Sequence, residues 1–131
     1  MANIEVTLEA NNTEEVKEAL KEAVQKALTE IGIQVENYAT MLCPVDTGRL
    51  RGSITFATVT EQDSPREPAE ASDGVQETPD ENSVVIGTNV EYAAYVEMGT
   101  SKMDARPYLE PAVMNHVDEY QQMVEECLHN A

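Results

Sequence analysis

Residues 4 to 9 alternate apolar and polar positions, with Ile4, Val6 and Leu8 set against Glu5, Thr7 and Glu9. That period of two predicts a half-buried strand. Asn11, Asn12 and Thr13 break it, and Thr13 is a suitable N-cap, with Glu14 and Glu15 placed to meet the helix dipole. From there Val16, Leu20, Ala23, Val24, Ala27, Leu28, Ile31, Val35, Tyr38, Ala39 and Leu42 recur at steps of three and four. This spacing predicts a helix of roughly 30 residues, or about 45 Å, that ends before Pro44. So long a rod needs a broad partner, and a sheet is the natural one. Gly32 interrupts the pattern and points to a bend or a close contact.

Residues 53 to 60 (SITFATVT) and 84 to 88 (VVIGT) are rich in β-branched side chains and predict two paired strands. Between them, residues 61 to 82 hold Pro65, Pro68 and Pro79, many acids and no large hydrophobe except Val75. Such a stretch cannot offset its ordering entropy by burial, which predicts a mobile acidic hairpin loop. Residues 92 to 98 predict a short helix closed by Gly99. Pro107 and Pro111 open a last helix whose apolar face is Val113, Val117, Tyr120, Met123 or Val124, and Cys127 or Leu128. The whole is expected as one α+β domain over residues 1 to 131. Its long N-terminal helix packs on a small antiparallel β-sheet, followed by a short helix and a C-terminal helix.

Charge changes the functional picture more than the fold. Eight basic residues against 25 acidic ones give a net charge of −17. Affinity for nucleic acid rests on Lys and Arg displacing counterions from phosphate, so specific binding of nucleic acid is not expected. Anionic lipid is repelled for the same reason. The N-terminal stretch lacks the basic and apolar regions of a signal peptide, and no apolar run reaches membrane-spanning length. Cys43 and Cys127 stand alone, and His116 and His129 complete no zinc spacing, so free thiols in a cytoplasm and no metal or other cofactor are expected.

One triplet invites an enzymatic reading. Asp46-Thr47-Gly48 matches the signature of aspartic proteases, which pair two carboxylates that share a proton. There the aspartate sits between strongly apolar strands, whereas here a helix and Pro44 precede it and Arg49, Leu50 and Arg51 follow. A structural role is simpler: Asp46 or Thr47 caps a helical turn and Gly48 lets the chain reverse.

Three stretches, in order, carry a family resemblance. The first runs from Cys43 through Pro44, Asp46, Thr47, Gly48, Leu50, Arg51 and Ser53 to Ile54. It resembles the Pro-x-Asp-Thr-Gly-x-Leu-Arg-x-Ser-Ile signature of the head–tail connector or tail-completion proteins of long-tailed bacteriophages and prophages. The second, residues 85 to 100, holds Ile86-Gly87 and then Tyr92, Ala93, Tyr95, Glu97, Gly99 and Thr100, similar to that family's Ile-Gly…Tyr-Ala-x-Tyr-x-Glu-x-Gly-Thr run. The third, Arg106-Pro107-Tyr108-Leu109-Glu110-Pro111-Ala112, resembles its Arg-Pro-aromatic-Leu-x-Pro-Ala segment. The resemblance implies a structural virion protein of the phage neck, without catalytic residues or cofactor. It implies assembly as a ring, commonly hexameric, between a head-side connector ring and the tail terminator or tube, with DNA passing through the lumen, the free subunit being either already a ring or a monomer before assembly. Two rival readings stand beside it: an aspartic-type protease using Asp46 across a dimer, and an acidic adaptor of a bacterial host.

Residue chemistry then suggests roles within these stretches. Gly48 and Gly99 fix turns that side chains would obstruct. Tyr92 and Tyr95 bury their rings while their hydroxyls find polar partners. Glu97 and Arg106 form an ion pair between the short helix and the last one.

Overall fold

The computed structural model describes residues 2–5, 14–45, 48–59, 68, 71–77 and 79–130. The chain runs β1 (Ala2–Glu5), α1 (Glu14–Leu42), α2 (Arg49–Ser53), β2 (Thr55–Ala57), a 3-10 turn (Ala71–Asp73) and β3 (Ser83–Gly87). It closes with α3 (Ala93–Met98), α4 (Leu109–Met114) and α5 (Val117–His129). The expected α+β architecture is present. Strand β3 lies at the centre of a three-stranded antiparallel sheet, between β1 and β2. Phe56 stands opposite Ile86, and Ile4 opposite Val84. The first strand begins two residues earlier than the alternation suggested, and residues 6–13, including the expected cap Thr13, lie outside the described residues.

Helix α1 is the rod that the spacing predicted, 29 residues long. Val24, Leu28, Ile31, Val35 and Ala39 are buried along one stripe and meet Phe56, Val84 and Ile86 from the sheet. Burying a side chain of this size contributes about 1.5–3 kcal/mol each, so this stripe is the main reason the helix holds its place. Gly32 is where the two layers touch most closely. A Cβ there would sit 2.4 Å from Phe56 Cδ2 and 2.7 Å from its Cγ. The glycine marks a close contact and lets the Phe56 ring lie against the helix backbone.

The C-terminal segment departs from the single helix expected after Pro107. It is two helices, interrupted at Asn115 and His116. Asn115 closes α4 by donating its N–H to Pro111 O. His116 leaves the helical region at φ −129°, ψ 24°, and its ring stacks on Tyr38 of α1, with centroids 3.6 Å apart and planes 4° from parallel. The break coincides with this contact to α1, and the expected apolar face holds apart from Val117, with Val113 buried and Met123, Val124 and Leu128 packed against the core. Tyr120 is buried and donates its hydroxyl hydrogen bond to Ala112 O, while Val117 is 40% exposed.

Part of the segment expected as a mobile acidic loop is tied to the body. Residues 71–77 carry the 3-10 turn, a bridge from Gly74 to Thr88, and the buried side chain of Asp73. Residues 61–67, 69, 70 and 78 lie outside the described residues.

Candidate functional site

The three stretches, far apart in sequence, are drawn to one corner of the molecule. Helix α1 ends as Cys43 donates its N–H to Ala39 O at 2.9 Å, and Pro44 follows. Gly48 then takes φ +86°, a left-handed value open to glycine at little cost, and serves as N-cap of α2. The expected chain reversal at Gly48 is therefore present. Asp46 and Thr47 lie outside the described residues, so neither the capping role nor the protease pairing expected of them has a described geometry. The flanks are helical on both sides, α1 before and α2 after.

Arg49 opens α2 and organises the corner. Its Nε and Nη2 donate to the Asp73 carboxylate at 2.9 and 3.0 Å, and Nη1 and Nη2 donate to Glu91 at 2.9 and 3.1 Å. Its guanidinium carbon also lies 5.8 Å from the centre of the Tyr92 ring, within cation–π range. These hydrogen bonds hold the Asp73 and Glu91 carboxyls below the usual carboxylate range. Beneath them runs a buried polar chain. Ser53 Oγ donates to Leu50 O at 2.6 Å and lies 2.6 Å from Thr88 Oγ1, which lies 3.3 Å from Asp73 O. Asn89 N donates to Asp73 O at 2.7 Å. A single network thus fastens the first stretch, the 71–75 turn and the second stretch together. Ser53 belongs to the pattern that carries the resemblance, whereas Arg49 and Asp73 stand outside it. The available signal was a cation beside a helix start in a strongly acidic chain.

Glu97 does a different job from the one expected. Its carboxylate accepts from the N–H groups of Tyr108 at 3.1 Å, Leu109 at 2.8 Å and Glu110 at 3.4 Å. These are donors at the start of α4, which have no partner inside the helix. The expected ion pair with Arg106 is replaced by this cap, and Arg106 instead binds α3 through its backbone, N to Val96 O at 2.8 Å. Tyr108 is fully buried between the two helices and donates its hydroxyl to Ala93 O at 3.2 Å. Burial pushes its phenol above the ordinary range. Gly99 caps α3 at φ +77°, ψ 173°, donating to Tyr95 O at 2.8 Å. A Cβ on Gly99 would fall 2.7 Å from Ala105 N, so this turn requires glycine. Thr100 pairs with Met103 just beyond it. The pair Tyr92 and Tyr95 splits: Tyr92 is half-buried under Arg49, but Tyr95 is 59% exposed, contrary to the expectation that both rings are buried.

What the corner encloses is a groove of about 410 Å³. The first stretch lines it with Pro44, Val45 and Leu50, the second with Tyr92 and Val96, the third with Arg106. Of the remaining residues singled out, Ala93 is buried beneath the groove, while Arg51, Thr100 and Pro107 are exposed and Pro111 is half-buried in the first turn of α4. Cys43, buried behind the groove, has its thiol pushed up to about 11, chiefly by burial. Among the described residues, no set of three His, Cys, Asp or Glu side chains could hold a metal ion, and no helix is long and apolar enough to cross a membrane.

The arrangement is therefore one of fastened turns and an open apolar groove. No curated protein and no solved structure matches the chain. A family model does, that described as "Bacteriophage HK97-gp10, putative tail-component", over residues 9–99. That span takes in the long helix, strands β2 and β3 of the sheet, the Arg49 network and helix α3. The chain belongs to this HK97-gp10-like family of bacteriophage tail components.

Proposed function

We propose that the chain is a structural, non-enzymatic subunit of the phage neck, a tail-completion or head–tail connector protein that joins tail to head. It acts by protein–protein contact in a ring of copies, of which a hexamer is the reference case. Its neighbours are the head-side connector ring on one side and the tail terminator or tube on the other. It belongs to the virion, and to the host cytoplasm during assembly. The observation that carries this reading is the convergence of the three stretches on one groove with exposed apolar side chains. Of the lining residues Val45 is 54% and Met103 41% exposed, and Tyr95 at 59% and Met98 at 73% are exposed on α3, the helix that carries the lining Val96. Buried turns explain why residues such as Ser53 and Gly99 are needed, but they do not require exposed side chains beside them. An apolar patch rimmed by polar groups suits a contact surface. The net charge of −17 fits a wall past which DNA slides without adhering.

Particles assembled without this chain provide the test. Filled heads and complete tails that remain separate are expected. Intact infectious particles, or the absence of tails altogether, would overturn the joining role.

A further inference from the structure

Two exposed patches of opposite charge each carry apolar side chains. The first is the mouth of the groove, where Val45 and Met103 are 54% and 41% exposed. Arg106 lines the same groove, Arg51 follows the lining residue Leu50 on α2, and Lys102 precedes the lining residue Met103. All three cations are exposed and none forms an ion pair with a described residue, whereas Lys21 and Arg49 both do. In a chain of net charge −17, residues 50–53 and 102–106 beside the opening carry these three cations against one acid, Asp104. The second patch is the corner between α4 and α5. Met114 is 61% exposed and Val117 is 40% exposed there, with the exposed acids Glu110 and Asp118 on the same two helices.

Scattered exposed apolar residues are ordinary. These two groups are complementary in charge as well as in apolar character. Groove against groove would set cations against cations, and corner against corner would set acids against acids. Like charges at an interface suppress wrong pairings and opposite charges fix the right one. We propose that the α4–α5 corner of one copy seats in the groove of a second copy, Met114 and Val117 entering the apolar opening while Glu110 and Asp118 face Arg51, Lys102 and Arg106. This rests on the reading of the chain as a self-assembling subunit, and it names the two surfaces. A contact between two different surfaces leaves each copy with one free groove and one free corner, so it propagates and closes into a ring when the rotation allows. It also explains how copies with so large a net charge can associate, since repulsion opposes every approach except the one through the basic rim.

Two double variants of the full-length protein test this by light scattering over a range of concentrations. One reverses the groove, Arg51→Glu with Arg106→Glu; the other reverses the corner, Glu110→Lys with Asp118→Lys. The wild-type chain is expected to form multi-subunit species. Each variant alone is expected to require at least about tenfold more protein for the same association, the loss of roughly one interfacial charge pair. Mixed one to one, the variants regain association, because each unmodified surface meets its complement on the other and the two reversed surfaces match as well. Should the lysines disturb the helix starts, Met114→Ser with Val117→Ser removes the apolar anchors at exposed positions and gives the same loss. The contact is overturned by a mixture that stays monomeric while both variants are folded, by a groove variant that associates like wild type, or by a wild-type chain that remains monomeric up to millimolar concentration. The joining role fails separately, through the particles assembled without the chain.

Discussion

Arg49 holds both oxygens of the Asp73 carboxylate, Nε to Oδ2 at 2.9 Å and Nη2 to Oδ1 at 3.0 Å, across 24 positions of sequence. The Asp73 side chain is 9% exposed and that of Glu91, the other partner, is 72% exposed. Removing the donor leaves a buried carboxylate without its ligand on one side and a solvated one on the other, so the two acids do not matter equally. Asp73→Asn is expected to lower the thermal midpoint clearly more than Glu91→Gln. Arg49→Lys recovers little, because an ammonium cannot reproduce the planar fork. Thermal unfolding of the three variants, followed by circular dichroism, checks the order; equal effects of Asp73→Asn and Glu91→Gln would show that the turn does not depend on the buried partner.

The same pair sets the acid side of the stability curve. Both carboxyls are held ionised in the folded chain at pH values where the unfolded chain takes up protons. The unfolded state then binds more protons, and stability rises with pH through that window. The contribution is complete above the ordinary carboxylate range, about pH 4, and is lost as pH falls below it. Denaturant midpoints of wild type between about pH 2.5 and 5 are expected to fall more steeply than those of Arg49→Met. Parallel curves would show that the network adds nothing to acid stability.

Gly32→Ala pits two effects against each other. Alanine favours a helix interior by about 1 kcal/mol over glycine. Against this, the new methyl would sit 2.4–2.8 Å from three atoms of the Phe56 ring, which is 1% exposed and packed in the core. Overpacking of a tight core costs about 1–3 kcal/mol, so the variant is expected to be destabilised on balance. Phe56→Leu added to it should recover part of the loss by opening space. A Gly32→Ala variant more stable than wild type would mean that the helix and sheet are not held this close.

Glu97 gives the clearest separation between the expected and the observed role. A cap that accepts from backbone donors is worth about 0.5–2 kcal/mol. Glu97→Ala is therefore expected to destabilise the chain by about 1 kcal/mol, and Glu97→Gln, which keeps one acceptor oxygen, by less. Arg106→Ala should leave the unfolding midpoint nearly unchanged. Comparable losses for Glu97→Ala and Arg106→Ala would restore the ion pair that spacing alone suggested.

These cases show where sequence reasoning succeeds and where it stops. The long helix was legible because one stripe repeats over many turns and Pro44 ends it. Strands β2 and β3 were legible from their β-branched runs. The break between α4 and α5 was not, because Asn115 and His116 do not break a helix by themselves. At the break the His116 ring stacks on Tyr38, a partner 78 positions earlier that local pattern does not reveal. The role of Arg49 is illegible for a related reason. It stands at the variable position of the Asp-Thr-Gly-x-Leu pattern, and its partner Asp73 lies inside a run of acids that composition alone marks as loop. Glu97 is legible in its pattern but its partner is not, because orphan donors at the start of α4 are visible only once that start is placed after Pro107. Contacts set by distant backbone positions are the part that local periodicity does not carry.

The alkaline side of the stability curve tests the burial of Cys43. The side chain is 5% exposed behind the groove, and burial pushes its thiol up to about 11, against about 8.5 for a free cysteine. Between those values the unfolded chain has released a proton that the folded chain keeps, so stability falls as pH rises. Burial raises the Tyr108 and Tyr120 phenols as well, and their ordinary range lies higher, near 10. The thiol should thus dominate the first part of the decline, from about pH 8.5 to 9.5. Denaturant midpoints across that interval are expected to fall in wild type and to flatten in Cys43→Ala, whatever that variant loses in packing at neutral pH. Iodoacetamide offers an independent reading at pH 8: the half-buried Cys127 should be alkylated well before Cys43. Rapid modification of Cys43 in the folded protein, or an unaltered slope in Cys43→Ala, would mean that the end of α1 is open to solvent.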